Sequence, residues 1–387
     1  MGAGVSGCTL SAELCQRGWD PDSISLWEAG RGPGGRTATR RSRKDPTLRV
    51  DHGASLFNIS STPAPRALQA LQDGGWVEPW KGSIALINEA AELLPPDGAD
   101  PLFQGRYFQG RPGMEQLCEG LLHQARGLHS GFETLVRDVA RDRDQWVLKD
   151  SEGAPIAEAE SLVLTGTLLA HPRSRLTFGW PNPPLQLLAE QLQDPQLNHT
   201  MAAIASLRFA ARSSLLLRIP AGESEAWLAL PFRLLTFTPS AQLRWGLWRI
   251  SIQPLLDGSC AVVAHSSATF AEEHIGIYGS RSAMARQLGL TPSPEQEQQV
   301  IADLGASLSD VLTPWLPRGA SSAVDRQLMR WGAAFPLAPG LPPELQWNAD
   351  LNLGFCGDFI AGPGFGRVEG AMHSAETLGA QLVGLAP

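Results

Sequence analysis

Apolar and polar positions along this chain switch repeatedly between helical and strand periods. Ser6 to Arg17 carries apolar and small residues at helical spacing and stops at Gly18, which predicts an opening helix able to pack closely through Gly7, Ser11 and Ala12. Ser23-Ile24-Ser25-Leu26-Trp27 alternates with period two and predicts a strand ending at Glu28. Val50 to Phe57 reads as a strand entering a loop. An irregular stretch rich in Trp, Pro and Ala from about residue 61 to 103 reads as an insertion. Tyr107 to Gly113 leads into an amphipathic helix over Met114–Ala125. Phe132–Val139, Gln145–Lys149 and Ser161–Thr165 predict successive strands, with a turn at Asp150-Ser151-Glu152-Gly153. Ser213–Ile219, Leu243–Ile252 and Cys260–Ser266 predict further strands. From about Glu295 to Leu312 a helix places Val300, Ile301, Leu304, Leu308, Val311 and Leu312 on one face, the pattern of a core stripe. Leu351 to Cys356 predicts a buried strand, and a last helix begins near Val368. No internal repeat is visible.

Glycine-rich joints sit where strands give way to helices. The chain opens Met1-Gly2-Ala3-Gly4-Val5-Ser6-Gly7, a Gly-x-Gly-x-x-Gly turn. In a dinucleotide-binding unit the first glycine allows the tight turn, the second lets backbone approach a pyrophosphate, and the third lets helix and strand pack closely. The helix N-terminus offers free N–H groups and partial positive charge to phosphates, which makes Gly2, Gly4, Ser6 and Gly7 candidate contacts. Glu28 falls at the tip of the next strand, where a carboxylate about 20 residues beyond the glycines accepts hydrogen bonds from a ribose. Gly30-Arg31-Gly32-Pro33-Gly34-Gly35-Arg36 follows, a loop able to wrap a pyrophosphate and add a fixed positive charge through Arg36. Gly53-Ala54 permits close approach to a flat ring. Near the C-terminus, Gly357-Asp358 ends a strand. Gly362-Pro363-Gly364-Phe365-Gly366 then leads into a helix at Val368-Glu369-Gly370-Ala371, whose N-terminus can face developing negative charge.

Only Met1 precedes Gly2, so most of the strand that normally feeds this turn is missing from the chain. That strand is central and buried on both faces in such folds. The expectation is poor folding or weak cofactor binding unless another segment fills the slot.

Composition narrows the classes. The 387 residues allow two or three domains, and 43% hydrophobic with 18% charged residues fits a globular protein. No apolar run approaches 18 residues, which argues against a membrane span. A net charge of −8 argues against a general nucleic-acid binder, and the cluster Arg40, Arg41, Arg43, Lys44 reads as a solvated loop. Cys8, Cys15, Cys118, Cys260 and Cys356 lack metal-ligand spacing and predict reduced thiols in a cytoplasmic protein, with no metal site. The histidines are scattered; His52, beside the Gly53-Ala54 loop, is the least poor candidate for a base, and no catalytic residue is assigned.

Together these segments resemble the FAD-dependent amine oxidase superfamily, and within it the renalase-like proteins. The resemblance rests on Gly2-x-Gly4-x-x-Gly7, Glu28, Gly34-Gly35-Arg36 and Asp51-x-Gly53-Ala54. It extends to the strand pair holding Thr134-Leu135-Val136 and Trp146-Val147-Leu148, to Arg330-Trp331-Gly332-Ala333-Ala334-Phe335-Pro336, and to Gly357-Asp358 with Glu369-Gly370-Ala371. It implies an α/β FAD/NAD(P)-binding Rossmann-like domain and an α+β substrate domain, in the two-domain p-hydroxybenzoate-hydroxylase-type architecture. The FAD domain would be assembled from 1–60, 104–170 and 325–387, and the substrate domain from 61–103 and 171–324. The implied cofactor is noncovalent FAD. Glu28 would bind the adenosine ribose, Val136 back the adenine, Arg36 meet the phosphates, and Asp358 the ribitol or phosphates. Gly53-Ala54 would lie along the isoalloxazine and Gly370-Ala371 near its pyrimidine end. The implied reaction takes a hydride from a small reduced substrate to flavin N5, with molecular oxygen as acceptor.

The departures from the family pattern concern substrate and attachment. Nothing like a Ser-Gly-Gly-Cys-Tyr segment supports a covalent flavin, and Cys356 reads as a structural thiol. Two tyrosines in the whole chain, Tyr107 and Tyr278, make an amine cage of paired tyrosines hard to build. Trp331 reads equally as a substrate-pocket wall or as core packing. Competing readings are an NAD(P)H-dependent flavin monooxygenase, disfavoured because its candidate Asp257-Gly258 looks like a hairpin turn, and a degenerate, truncated, non-catalytic homologue.

Overall fold

The computed structural model describes residues 1–41, 45, 48–96, 98, 100–278, 293–316, 323 and 325–382. Its first body is a Rossmann-like unit built on short parallel strands. Ser25–Trp27 pairs with His129–Gly131, and Leu162–Leu164 pairs with Leu353–Phe355. Met1–Ala3 runs between these two pairs. Gly2 N donates to the Trp27 carbonyl at 2.8 Å, Thr165 N donates to the Met1 carbonyl at 3.0 Å, and the Met1 ammonium donates to Val163 O at 2.7 Å. Three residues ahead of the opening helix therefore occupy the slot of the first strand and join the two halves into one sheet. Trp347–Asn348 adds an antiparallel edge.

Parallel strands need cover on both faces. On one face lie the opening helix Val5–Gln16 and the closing helix Val368–Leu382, joined through Leu10, Leu14, Cys356, Ala375, Leu378 and Leu382. They approach closely because Gly379 carries no side chain: a Cβ there would lie 2.6 Å from Glu13 Cγ. On the other face sits the antiparallel meander Asp138–Asp142, Gln145–Lys149, Pro155–Ala159. Its Trp146 is fully buried in one core with Leu164, Leu353 and Phe355, and its indole donates to the Leu351 carbonyl at 2.8 Å.

The second body is a seven-stranded sheet. Its order is Asp325–Leu337, Arg208–Ile219, Cys260–Ser266, Leu247–Pro254, Leu234–Phe237, Ile84–Ile87, Leu93–Leu94. Only the Leu234–Phe237 and Ile84–Ile87 pair is parallel. One face packs Leu215, Leu217, Ile219, Val262, Ala264, Ile250 and Ile252 against Val300, Leu304, Leu308, Val311 and Leu312 of the helix Pro294–Leu312. The predicted stripe is therefore core. The pleat sends the alternate positions, Arg212, Ser214, Leu216, His265 and Arg249, to the opposite face. Gln253 locks the two bodies together: Asp51 N donates to its Oε1 and its Nε2 donates to Asp51 O, both at 2.9 Å.

Several elements differ from expectation. Leu243–Ile252 is not one strand but the end of a helix, Pro239–Trp245, followed by Leu247–Pro254. Thr238 caps that helix at Ala241 N, and Gly246 ends it at φ 64°, signals that outweigh the alternation. Phe132–Val139 is strand only at Asp138-Val139, because Glu133 N and Thr134 N are drawn to the carbonyls of Gly30 and Glu28. The stretch 61–103 divides. Arg66–Asp73 and Val77–Pro79 bury Ala67, Leu68, Leu71 and Val77 with Val5, Met114 and Leu117 of the first body, whereas Ile84–Ile87 and Leu93–Leu94 extend the large sheet. Likewise Pro184–Leu192 and Pro195–Ser206 pack on the first body, and Asp325–Leu337 is an edge strand of the second. Among the described residues no helix is long and apolar enough to cross a membrane.

Trp146→Ala is expected to cost about 3–5 kcal/mol, since it empties the middle of the first body's core and leaves the Leu351 carbonyl with Arg141 Nη1, at 2.7 Å, as its remaining side-chain donor. Chemical denaturation checks this, and a loss below about 1 kcal/mol would mean that this core is not closed as described.

Candidate functional site

A cleft of about 2880 Å³ separates the two bodies, with the glycine-rich turns on one wall and the polar face of the seven-stranded sheet on the other. At its floor the opening turn is shaped by three different steric demands. Gly2 has φ 98°, and a Cβ there would lie 2.5 Å from Thr165 Oγ1. A Cβ on Gly7 would collide with the Gly2 carbonyl. A Cβ on Gly4 would meet no protein atom within 4 Å. Gly2 and Gly7 are thus glycine because protein surrounds them, and Gly4 because its missing side chain leaves the cleft floor open. The helix starting at Val5 has no side-chain cap and no acidic residue in its first turn, so its partial positive charge faces the cleft uncompensated. Ser6 lines the same floor.

Glu28 stands beside this floor. Its carboxylate accepts from Ala3 N at 2.9 Å and Gly30 N at 2.6 Å, one bond to each oxygen. Acceptor capacity remains on both oxygens. Gly34 and Gly35 turn the following loop at φ 131° and 55°, and Gly34 N donates to the Ala3 carbonyl at 2.8 Å. Arg36 then reaches Asp358 in a bidentate pair at 2.7 and 2.6 Å and also donates to the Ala334 carbonyl at 2.9 Å. The reading of two separate ligand contacts thus meets a pair that first neutralises itself. Asp358 is 6% exposed and Arg36 42%, so the arginine is the member open to the cleft.

Gly53 is glycine because a Cβ would strike the Arg36 carbonyl, and Ala54 N donates to that carbonyl at 3.1 Å. Both line the cleft, as does the buried Val136. The C-terminal pair splits. Ala371 lines the cleft, whereas Gly370 lies behind it, where a Cβ would strike the Gly364 carbonyl. Gly7 is likewise behind the lining surface. Glu369 is fully buried and receives N–H donors from Ser60 at 2.7 Å and Ser61 at 2.6 Å, so it ties the closing helix to the first body. Cys356 is fully buried and burial pushes its thiol up to about 12, which fits a structural sulfur. Asp257-Gly258 forms the turn before Cys260–Ser266, with Asp257 held by Arg218 at 2.6 Å and by Ser259.

Where the two walls meet, His52 of the Gly53-Ala54 loop stacks on Trp331 of the large sheet, with centroids 5.3 Å apart at 25°. Both line the cleft, and His52 Nδ1 and the Trp331 indole N–H find no partner among the described residues. Burial and then Arg40 hold His52 down at about 4, so its ring is neutral near pH 7. Tyr107 and Tyr278 do not line the cleft; Tyr278 instead bonds Ser213 Oγ at 2.9 Å.

Sequence reasoning missed the residues next to this stack. Arg212, 5% exposed, lies over the rings of Phe335 at 4.7 Å and Trp248 at 5.0 Å. Arg249 lies over Trp248 at 4.0 Å. Neither forms an ion pair among the described residues, and Nε of each is unpartnered. Arg212 Nη1 donates only to its neighbour's carbonyl, that of Ala211, at 2.7 Å. Burial pulls both guanidiniums down to about 10, so both stay charged near neutrality. His265, bonded to Ser214 Oγ at 2.8 Å, is held at about 3 by burial and then by these two arginines. A cation–π contact returns about 0.5–2 kcal/mol, while desolvating a guanidinium costs several. The rings do not settle these charges. Nearer the glycine-lined wall, Arg173 lies 4.5 Å over Phe209 and donates to Thr167 Oγ1 at 3.2 Å. An arginine near the start of a strand that runs on, through Ser213 and Ser214, into Leu215-Leu216-Leu217 was the available signal. Arg41 is tied to Glu115 and Glu119, while Arg43 and Lys44 lie outside the described residues. No cluster of three metal-ligating side chains occurs among the described residues.

The comparisons agree with this architecture. The family described as NAD(P)-binding Rossmann-like domain matches residues 1–73. Cyclohexylamine oxidase from Brevibacterium oxydans superposes with TM-score 0.66 at 12% identity, covering 99% of this chain and 98% of that one. Putrescine oxidase bound to putrescine does so with TM-score 0.60 at 13% identity, covering 99% and 98%. A protein from Exiguobacterium sp. 255-15 described as a protoporphyrinogen oxidase gives 0.62 at 12% identity, covering 99% and 97%. No curated protein matches the chain in sequence. At these identities the likeness speaks to the fold.

Gly7→Ala is expected to destabilise the chain by about 1–3 kcal/mol through the forced contact with Gly2, and Gly4→Ala by less than about 1 kcal/mol. Thermal unfolding of both variants checks the contrast; equal losses would contradict the open floor at Gly4.

Proposed function

We propose that this chain is an FAD-dependent oxidoreductase of the amine-oxidase type, renalase-like in arrangement, which oxidises a small reduced molecule and passes the electrons to dioxygen. The observation that carries the reading is one continuous wall. It runs from the open Gly4 floor and the uncapped helix N-terminus, past Glu28, to the Arg36–Asp358 pair and the Gly53-Ala54 loop. Those features suit, in order, a pyrophosphate, a ribose, a polyol chain and a flat ring.

In this reading the N–H groups at the start of the opening helix and Gly4 bind the pyrophosphate. Glu28 accepts from the ribose hydroxyls, with Val136 behind the adenine. Arg36, oriented by Asp358, adds positive charge beside the phosphates and ribityl chain. Gly53, Ala54 and Ala371 border the ring. Gly2, Gly7 and Gly370 set the backbone that presents these groups. A bound FAD supplies the redox chemistry, in which substrate loses two electrons and two protons and dioxygen becomes hydrogen peroxide. The protein needs to orient the substrate and exclude water, which suits a site without a nucleophile. Trp331 and His52 form the substrate-side wall. The ring of His52, neutral near pH 7, can accept a hydrogen bond from substrate at Nδ1. Attachment is noncovalent, because Cys356 is buried behind the cleft.

The purified chain is expected to be yellow, with about one FAD per chain released into the supernatant by acid precipitation. Gly4→Leu, which fills the floor without touching protein, should remain folded and lose flavin affinity at least about tenfold, roughly 1.4 kcal/mol. A colourless wild type that takes up no FAD on titration, or a Gly4→Leu variant that binds it normally, would overturn the reading.

A further inference from the structure

We propose that the substrate end of the cleft is an anion site, and that the molecule this protein oxidises is a small carboxylic acid whose carboxylate is held by Arg212 and Arg249. This rests on the oxidoreductase reading for what happens to the ligand, but the site itself stands on the side chains alone.

The two arginines share one face of the large sheet. Arg212 is in register with Trp331, His265 with Ser214, and Arg249 with His265. Together with the His52–Trp331 stack they form a single surface around Trp248, and all of them line the cleft. Two guanidiniums lie over the same indole, at 5.0 and 4.0 Å from its centroid, and among the described residues no carboxylate pairs with either. Among the described residues the acids that act on them through space are Glu272 for Arg212 and Asp100 for Arg249, without an ion pair to either. The other charged pairs of this wall are complete: Arg330 with Glu297, and Arg218 with Asp257. Among the described residues Arg249 donates no hydrogen bond, and Arg212 only one, to the adjacent peptide.

Like charges gathered in a desolvated place repel, and a fold carries them where a ligand of opposite charge completes the set. The neighbouring titratable groups do not relieve the charge. His52 and His265 are neutral near pH 7, and Tyr278 keeps its proton, pushed up to about 12 by burial. An amine substrate would arrive as an ammonium ion facing two uncompensated cations. A carboxylate matches the forked donors of the guanidinium, and its plane suits the gap bordered by Trp248, Phe335 and Trp331. Carboxylate recognition also separates this site from the amines that name two of the structurally similar oxidases.

The test compares three ring compounds of one size and different charge, benzoate, benzamide and benzylamine, by isothermal titration calorimetry with the protein as purified, its flavin content recorded separately. Benzoate is expected to bind at least tenfold more tightly than the other two. Arg212→Met and Arg249→Met, which keep the aliphatic stem, should each weaken benzoate at least tenfold and leave flavin content and benzamide binding unchanged. Tighter binding of benzylamine, or benzoate affinity untouched in both variants, would overturn the anion site. Tighter binding of inorganic phosphate than of benzoate, lost in both variants, would overturn the carboxylate assignment. Arginine-dependent benzoate binding by a protein that holds no FAD would keep the site and remove the flavin reading. A yellow protein indifferent to benzoate would do the reverse.

Discussion

Everything on the glycine-lined wall depends on one close approach, the Gly2 carbonyl seated where a side chain on Gly7 would stand. That contact fixes the angle at which the opening helix leaves the sheet. The angle points the helix N-terminus at the cleft and leaves the Gly4 backbone as its floor. Thr165 supports the same turn by donating its hydroxyl to the carbonyls of Met1 and Gly2, at 2.7 and 2.8 Å. Because the Met1–Ala3 backbone is bonded to strands on both sides, the turn inherits the rigidity of the sheet rather than that of a loop. A surface that must present N–H groups to a ligand at fixed spacing gains from such pre-organisation.

The second wall follows from the pleat of the large sheet. Strands with one apolar face build the core with the helix Pro294–Leu312, and period two forces the intervening residues to the other side. Arg212, His265 and Arg249 are on the cleft because Leu215, Ala264 and Ile250 are in the core. The charge of this wall is thus tied to the stability of the sheet that carries it, and a register slip of one residue would bury the arginines. Gln253, bonded both ways to the Asp51 backbone, holds this wall against the loop that carries His52 and Gly53.

Much of the glycine-lined wall was legible as backbone geometry because each of its parts is local. The opening turn, Glu28, Gly34-Gly35-Arg36 and Gly53-Ala54 each lie within a few residues of a strand end. The chemistry of such a turn is set by the backbone angles its glycines allow. The pairing of Arg36 with Asp358, 322 residues apart, could not be read this way. Nor could the split of Gly370 from Ala371, since which of two adjacent residues faces a cleft depends on how the helix is rotated by its packing on Gly364. Leu243–Ile252 was misread because apolar alternation is a weaker signal than a Thr-Pro helix start followed by a left-handed glycine.

By itself the sequence determined the sites of tight backbone: the glycine turns, the acidic strand tip, and the apolar stripe of the long helix. These are properties of short stretches, where sterics and period act between neighbours. Tertiary structure alone decided what faces what. It set Met1–Ala3 between two strands distant in sequence, divided residues 61–103 between the two bodies, and brought Arg212, Arg249 and Trp248 beside the His52–Trp331 stack. Strand register across a sheet is a long-range property, set when whole faces are buried together. The charge on the sheet's wall of the cleft therefore became visible only once that register was known.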